Sequence, residues 1–319
     1  MKLPSLFTTP APSVALEIGP RLVSALAVSR HGGSPVISAH AVESLRAGAV
    51  APSLIEQNIS DRGAVKQAVA QVLGQLGGRH GRIALVLPDA VAKVSMVRLD
   101  ALPPNARDLD QLIRWHVRKS APFPIEEAQV TYSPGAALPD GGREFVVALA
   151  RRSVVREYES VCEESGAHPG LVDLSAFSLV NAVLASARSA QGDWLVVHVT
   201  PGSGTIVILR DGNLIFYRNR AEGGDDSLPD LVHQTAMYYE DRLEGRGFAR
   251  VLVTGGGDGT PAGGFDDVRR QVDVRLGVRT ETVDLRRIAQ FADRITVDPA
   301  LLNMMTPLVG VIAGAGEGV

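Results

Sequence analysis

The chain has 319 residues, long for one core, so two or more subdomains are expected. Apolar residues at 45% and charged residues at 21% describe an ordinary globular protein, and a net charge of −3 gives no general attraction for nucleic acid or anionic membrane. The single cysteine, Cys162, excludes an internal disulfide framework and a metal site built on cysteine, and it suits a reducing compartment. The opening MKLPSLFTTPAPS is too weakly apolar for a secretory signal, and no run approaches the roughly 18–20 apolar residues of a spanning helix.

In chain order, Val14–Ala41 reads as strand, turn, strand, hairpin, strand, with Gly32-Gly33 at the hairpin. A loop over Ser44–Ser60 leads to Asp61, a helix N-cap, and Val65, Ala68, Val69, Val72, Leu73 and Leu76 then recur on one helical face until Gly77-Gly78. Arg82–Leu87 is a strand closed by Pro88. Lys93–Leu99 is another strand, Asn105–Lys119 a helix ended by a proline-rich segment, and Glu127–Ser133 and Arg143–Ala150 are strands. Ser153 begins a helix to Ser165. Gly170–Leu174 is a strand, Leu174–Arg188 a helix, and Ser186–Gly192 the linker between halves.

The second meander is the stretch that organises the rest. Leu195–Val199 is an apolar strand, followed by the tight turn Thr200-Pro201-Gly202-Ser203-Gly204, a β-branched strand Thr205–Leu209, the hairpin signal Asp211-Gly212 and a strand Asn213–Asn219. It repeats the first meander: Glu17 falls on His198, Gly19 on Thr200 and Ser24 on Thr205. Two such units predict a duplicated fold with a cleft between its halves. The turns face one another there, where small residues let backbone N–H groups approach an anion. Leu228–Leu243 is then a long helix, Arg250–Thr254 a strand running into Gly255-Gly256-Gly257, Asp266–Leu276 a helix, Arg279–Val283 a short strand and Pro307–Ala315 a terminal helix.

With that order on the page, the chain is similar to the actin/Hsp70/hexokinase superfamily. LPPNARDLDQLIRWHVRKSAPFPIEEAQVTYS, VDLSAFSLVNA, SLPDLVHQTAMYYEDRLEGRGFARVLVTGGG and PLVGVIAGAG narrow the resemblance to the PilM family of type IV pilus assembly proteins, over about Val14 to Gly316. The resemblance implies an α/β, actin-like ATPase fold of two duplicated RNase H-like halves, with a small inserted α+β subdomain in the first. The expected boundaries are a tail at 1–12, a first half at 13–92 and 169–190, an insert at 93–168, and a second half at 191–319 with a smaller lobe at about 225–285. It also implies a cytoplasmic scaffold at the inner-membrane platform of the pilus machine. The implied partners are the N-terminal cytoplasmic peptide of a PilN-like bitopic membrane protein, docked between the first half and the insert, and other machine components such as the assembly ATPase. Nucleic acid and direct membrane insertion are not expected. A type II secretion component, or a superfamily kinase or ATPase with real turnover, is the alternative.

The site residues follow from the motifs. In the first turn, Glu17 stands where the family has an Asp holding a magnesium-bound water, a methylene longer, and Pro20 removes a donor. Gly19 lies in that turn, and Arg21 either contacts phosphate or is a solvated charge. In the second turn, His198 and Thr200 replace the family's Asp-x-Gly, and imidazole is a poor substitute ligand for Mg²⁺. Gly202, Ser203, Gly204 and Thr205 still offer donors to a phosphate. Asp173 either approaches the metal or caps the following helix, and Gly255, Gly256 and Gly257 match the adenosine turn. ATP or ADP with Mg²⁺ is therefore expected to bind weakly and not to be required, with negligible hydrolysis. Trp115, Pro122, Phe123 and Pro124 are candidates for the peptide groove, with the core of the small subdomain the expected place of Phe123.

Overall fold

The computed structural model describes residues 12–31, 34–78, 81–221, 227–256, 264–293, 295 and 298–316. β1 (Val14–Ile18), β2 (Leu22–His31) and β3 (Ser34–Ser44) form an antiparallel meander, followed by α1 (Arg62–Leu76) and β4 (Arg82–Leu87), which returns parallel to β1. The insert comprises β5 (Ala92–Leu99), α2 (Ala106–Arg118), β6 (Ala128–Ala137) and β7 (Arg143–Arg151). Next come α3 (Arg152–Glu164), β8 (His168–Leu174) and α4 (Ser175–Ser186). The second half repeats the pattern with β9 (Asp193–Thr200), β10 (Ser203–Arg210), β11 (Asn213–Ala221), α5 (Leu228–Arg242) and β12 (Arg250–Gly255). It ends in α6 (Gly264–Leu276), β13 (Gln290–Phe291) and α7 (Pro299–Gly316).

The sheet orders are β13-β3-β2-β1-β4-β8, β11-β10-β9-β12 and β5-β7-β6. The internal orders β3-β2-β1-β4 and β11-β10-β9-β12 are the same, and the cross-strand pairs coincide: Glu17 opposes Ser24 and His198 opposes Thr205. The repeat read from the residues is thus a repeat of register. At the second hairpin, Asp211 (φ 49°) and Gly212 (φ 80°) both take the left-handed conformation that a two-residue turn between twisted strands needs.

Strand periodicity sends alternate side chains to two cores. On β1, Leu16 and Ile18 pack with α1 and α3, while Ala15 and then Glu17 face the other half. On β9, Leu195, Val197 and Val199 pack with α5 and α6, while Trp194, Val196 and then His198 face back. Between the sheets lie α4 and α7, close because of two glycines: a Cβ on Gly310 would sit 1.7 Å from the Ser178 carbonyl oxygen, and one on Gly314 2.5 Å from the Asn181 amide nitrogen.

Some boundaries differ from expectation. The insert sheet spans 92–151, and α3 buries Val154, Tyr158, Val161 and Cys162 in the first-half core, against which Ala92, Val94 and Ala148 of the insert also pack. The stretch about 225–285 forms no separate lobe among its described residues: α5 and α6 cover the outer face of the second-half sheet. The strand expected at Arg279–Val283 reduces to one bridge, Glu281 to Leu252. α7 begins at Pro299 and runs through Pro307, a proline the sequence pattern reads as a helix start. Gly32-Gly33 lies outside the described residues.

The α4–α7 contact yields a graded prediction. Gly310→Ala must push two backbones apart and should cost about 1–3 kcal/mol in urea unfolding, whereas Gly314→Ala meets a side-chain amide that can swing aside and should cost less. Equal stabilities for the two variants would contradict this packing.

Candidate functional site: the cleft between the halves

Glu17 and His198 enter the space between the sheets from equivalent positions on the two inner strands. Between them stands Ser175, the first residue of α4. Its Oγ donates to Glu17 Oε1 at 2.9 Å and lies 3.1 Å from His198 Nε2. A second chain runs deeper. Asp89, just past the C-terminal end of β4, accepts from the Ala176 N–H at 2.8 Å and from Thr205 Oγ1 at 2.6 Å, and that hydroxyl accepts from Asn219 Nδ2 at 2.8 Å. Each chain joins the first half to the second.

Above these contacts opens a cavity of about 310 Å³ lined by both turns, Asp89, Ser175, His198, Gly255, Gly256 and Asn303. Of the residues the sequence singles out, Glu17, Gly19, Arg21, Gly202 and Ser203 also line it. Gly204, Thr205 and Asp173 do not. The Thr205 hydroxyl is spent on Asp89 and Asn219. A Cβ on Gly204 would strike the Leu228 side chain, 2.6 Å away, so this glycine serves packing. Asp173 accepts from the Leu174 N–H at 2.8 Å and from Ser178 Oγ at 2.9 Å, so both its oxygens are engaged beside the start of α4, with no bond to a first-turn amide of that helix. Gly255 (φ 102°) lets β12 close on β9, since a Cβ there would lie 2.0 Å from the Val199 carbonyl oxygen. Gly257 lies outside the described residues.

Asp89 and Ser175 are cleft residues that the motif reading passes over. Pro88 reads as the end of a strand and Ser175 as the start of a helix. An acid just beyond the C-terminal end of a parallel strand is where an α/β sheet places ligand-facing groups, and that position was the available signal.

The electrostatics follow from enclosure. Burial pushes the Glu17 carboxyl up to about 7, against the Ser175 hydrogen bond and with the Asp89 charge adding to the rise. Burial raises Asp89 to about 6 despite its bonds from Thr205 and Ala176, and raises Asp173 to about 6 despite those from Ser178 and Leu174. Burial lowers His198 to about 4, so its imidazole is neutral at pH 7, and its Nδ1 has no hydrogen-bond partner. The Ser-His-Glu grouping is not a nucleophilic triad, because the carboxylate holds the serine instead of orienting the imidazole through Nδ1.

The donor set does not fit a hard divalent cation. Mg²⁺ asks for oxygen ligands in near-ideal octahedral array. Glu17 Oε1 is engaged by Ser175, both oxygens of Asp89 carry protein donors, and the facing group is an imidazole. Among the described residues no group of three or more His, Cys, Asp and Glu side chains could hold a metal ion.

A second concavity, about 840 Å³, lies between the insert and the first half, lined by β6 and β7 residues Gln129, Thr131, Ala148 and Ala150, by 169–174 of β8, and by Val155 and Phe177. None of Trp115, Pro122, Phe123 and Pro124 lines it. β7 explains why. Phe145, Val147 and Leu149 point to α2 in the insert core, Ala148 and Ala150 point to the groove, and α2 covers the far face of the sheet. Phe123 packs on that core under Arg151, and Trp115 is 63% exposed beside His116.

A family model described as type IV pilus assembly protein PilM matches residues 15–247. The chain belongs to the PilM family. Among solved structures, a chain of a PilM–PilN type IV pilus biogenesis complex matches 98% of this chain and 99% of its own, at 18% identity and a TM-score of 0.80. The ethanolamine utilization protein EutJ from Carboxydothermus hydrogenoformans matches at 12% identity and a TM-score of 0.49, over 96% of this chain and 90% of its own. The cytoplasmic domain of EpsL, an inner-membrane component of the Vibrio cholerae type II secretion system, matches at 9% identity and 0.49, over 96% and 94%. The architecture is the actin-like ATPase fold, with the small insert β5-β7-β6 in its first half. Among the described residues no helix is long and apolar enough to cross a membrane.

The raised Glu17 carboxyl has a signed consequence. A group whose folded-state pKa lies above its unfolded value stabilises the fold fully below that unfolded value, about 4.5 here, and loses this as pH rises through about 7. His198, lowered to about 4, acts oppositely and loses its contribution as pH falls below 6.5. Glu17→Gln removes the first term. Its stability relative to wild type should therefore improve by up to about 3 kcal/mol between pH 4.5 and 8 in urea titrations. Parallel wild-type and variant profiles would contradict an enclosed, titrating Glu17.

Proposed function

We propose that this protein is a cytoplasmic scaffold of type IV pilus assembly, held at the inner membrane by gripping the N-terminal cytoplasmic segment of a PilN-like bitopic protein. The observation that carries the reading is the groove between insert and first half. It runs between β6, the last strand of its sheet, and β8, the last strand of the six-stranded sheet, so among the described residues neither pairs with a further strand on that side. Its floor is apolar, with Ala148, Leu171, Val172 and Phe177, while Arg152, Arg156 and Glu159 give it polar walls. Such a slot suits an extended peptide that adds main-chain hydrogen bonds at an edge and sets alternate side chains into pockets. The similar solved chain comes from a complex described as PilM–PilN, which supports the choice of partner.

The central cavity would hold ATP or ADP weakly, with negligible turnover. In this reading the inner strands offer Glu17 and a neutral His198, and neither is placed as a free carboxylate to orient an attacking water. Contacts with other parts of the machine, the assembly ATPase included, belong to the same proposal.

A peptide copying the cytoplasmic N-terminus of the PilN-like protein tests this in titration calorimetry with the full chain. Micromolar or tighter binding is expected for wild type. Ala148→Glu, which sets a charge on the apolar floor, should weaken it by at least about tenfold, a cost of roughly 1.4 kcal/mol or more. Trp115→Ala, on the far face of the insert, should leave it unchanged. Binding lost with Trp115→Ala and kept with Ala148→Glu would move the groove elsewhere.

A further inference from the structure

The PilM resemblance puts a nucleotide in the central cleft, with a magnesium-bound water at the position of Glu17. A ligand in that place would tie the halves together from both sides. In this chain the tie is already made by protein atoms. Glu17 on β1, Ser175 on α4 and His198 on β9 form one hydrogen-bonded chain across the cleft, and Asp89 after β4 and Thr205 on β10 form another. The groups are sequestered: Ser175 and Thr205 are 1% exposed, His198 3% and Asp89 4%.

We propose that these direct side-chain hydrogen bonds replace a metal–phosphate bridge as the link between the two halves, so that the cleft stays joined without a divalent cation and does not respond to one. The inference rests on reading the central cavity as the nucleotide site, and it is independent of the peptide groove.

Three observations support it. A cation at Glu17 would meet a carboxylate whose Oε1 already accepts from Ser175, and would find the Ser175-bound Nε2 of an imidazole opposite, a poor partner for an oxygen-seeking ion. The other carboxylate lining the cavity, Asp89, carries the Ala176 N–H on one oxygen and the Thr205 hydroxyl on the other. Thr205 is held in turn by Asn219, so its orientation is set from both sides. Among the described residues lining the cavity Arg21 is the one cationic side chain, so a polyphosphate arriving without its metal meets too little positive charge to bind tightly. The cavity therefore takes a nucleotide weakly, whether or not magnesium comes with it.

The test is hydrogen exchange and thermal unfolding of the full chain in three conditions: magnesium with ATP, magnesium alone, and EDTA. For wild type, the melting temperature and the exchange of β1, β9 and the start of α4 should be the same in all three. Protection there that collapses in EDTA and returns with magnesium and ATP would overturn the proposal, and this comparison needs no variant. Thr205→Val keeps the shape and removes the hydroxyl. It should speed exchange about tenfold at β10 and the start of α4 in every condition, as expected for losing one buried hydrogen bond. Unchanged exchange in that variant would also overturn it. His198→Asp supplies the missing carboxylate and should make the melting temperature rise with magnesium and ATP; indifference of the folded variant would count against the imidazole as the excluding group. Peptide binding by the same samples, measured alongside, separates failure of this inference from failure of the scaffold reading.

Discussion

The carboxyl of Asp89 ties the structure together. It projects from the end of β4 in the first half, receives the second amide of α4 and takes the hydroxyl of Thr205 from the second half. Burying a carboxylate is costly unless donors replace its water, and here three elements must meet to supply them. The meeting fixes how the two sheets face each other across α4 and α7. It also fixes where Glu17 and His198 come to rest, since they stand at matching positions on strands whose register is the same in both halves. Duplication gives the pocket its symmetry, and the mismatched pair, an acid facing an imidazole, gives it a chemistry of its own.

The insert exploits the same alternation of side chains. β7 turns its larger residues toward α2 and its alanines toward the first half, which leaves a channel between two strand edges instead of a filled core. α3 follows the insert in sequence but belongs to the first-half core, through Val154, Tyr158, Val161 and Cys162. It therefore fixes one wall of the channel to the rigid part of the molecule. The central cavity and the channel are distinct spaces with different linings, the first ringed by turns and glycines and the second walled by β-strands and apolar side chains. β4 and α4 connect them, with Leu87 and Phe177 on the channel and Asp89 and Ser175 on the cavity.

Much of this was legible in the residues. The repeated strand–turn–strand units, the alignment of Glu17 with His198 and Ser24 with Thr205, and the Asp211-Gly212 hairpin depend on local rules that the fold obeys. What was not legible depends on contacts far apart in sequence. Thr205 looks like a phosphate donor until Asp89 is seen to hold it, and Gly204 looks like part of an anion turn until Leu228 is found against it. Asp173 offers two roles on equal terms in the sequence, and its bonds to Leu174 and Ser178 come from a fold the sequence does not spell out. Trp115 and Phe123 lie on the face of the insert sheet away from the channel, and sequence spacing places residues on a helix but does not say which side of the neighbouring sheet that helix covers. The start of α7 was hidden by Pro307, which sits inside a helix that buried contacts with α4 sustain.

A double-mutant cycle on Asp89→Ala and Thr205→Val, read by equilibrium urea unfolding, measures the cross-cleft link directly. A buried hydrogen bond to a carboxylate predicts a coupling of about 1.5–3 kcal/mol between the two positions. Effects that add to within about 0.5 kcal/mol would show that the halves are not joined through this pair, and the account of the cleft would be contradicted.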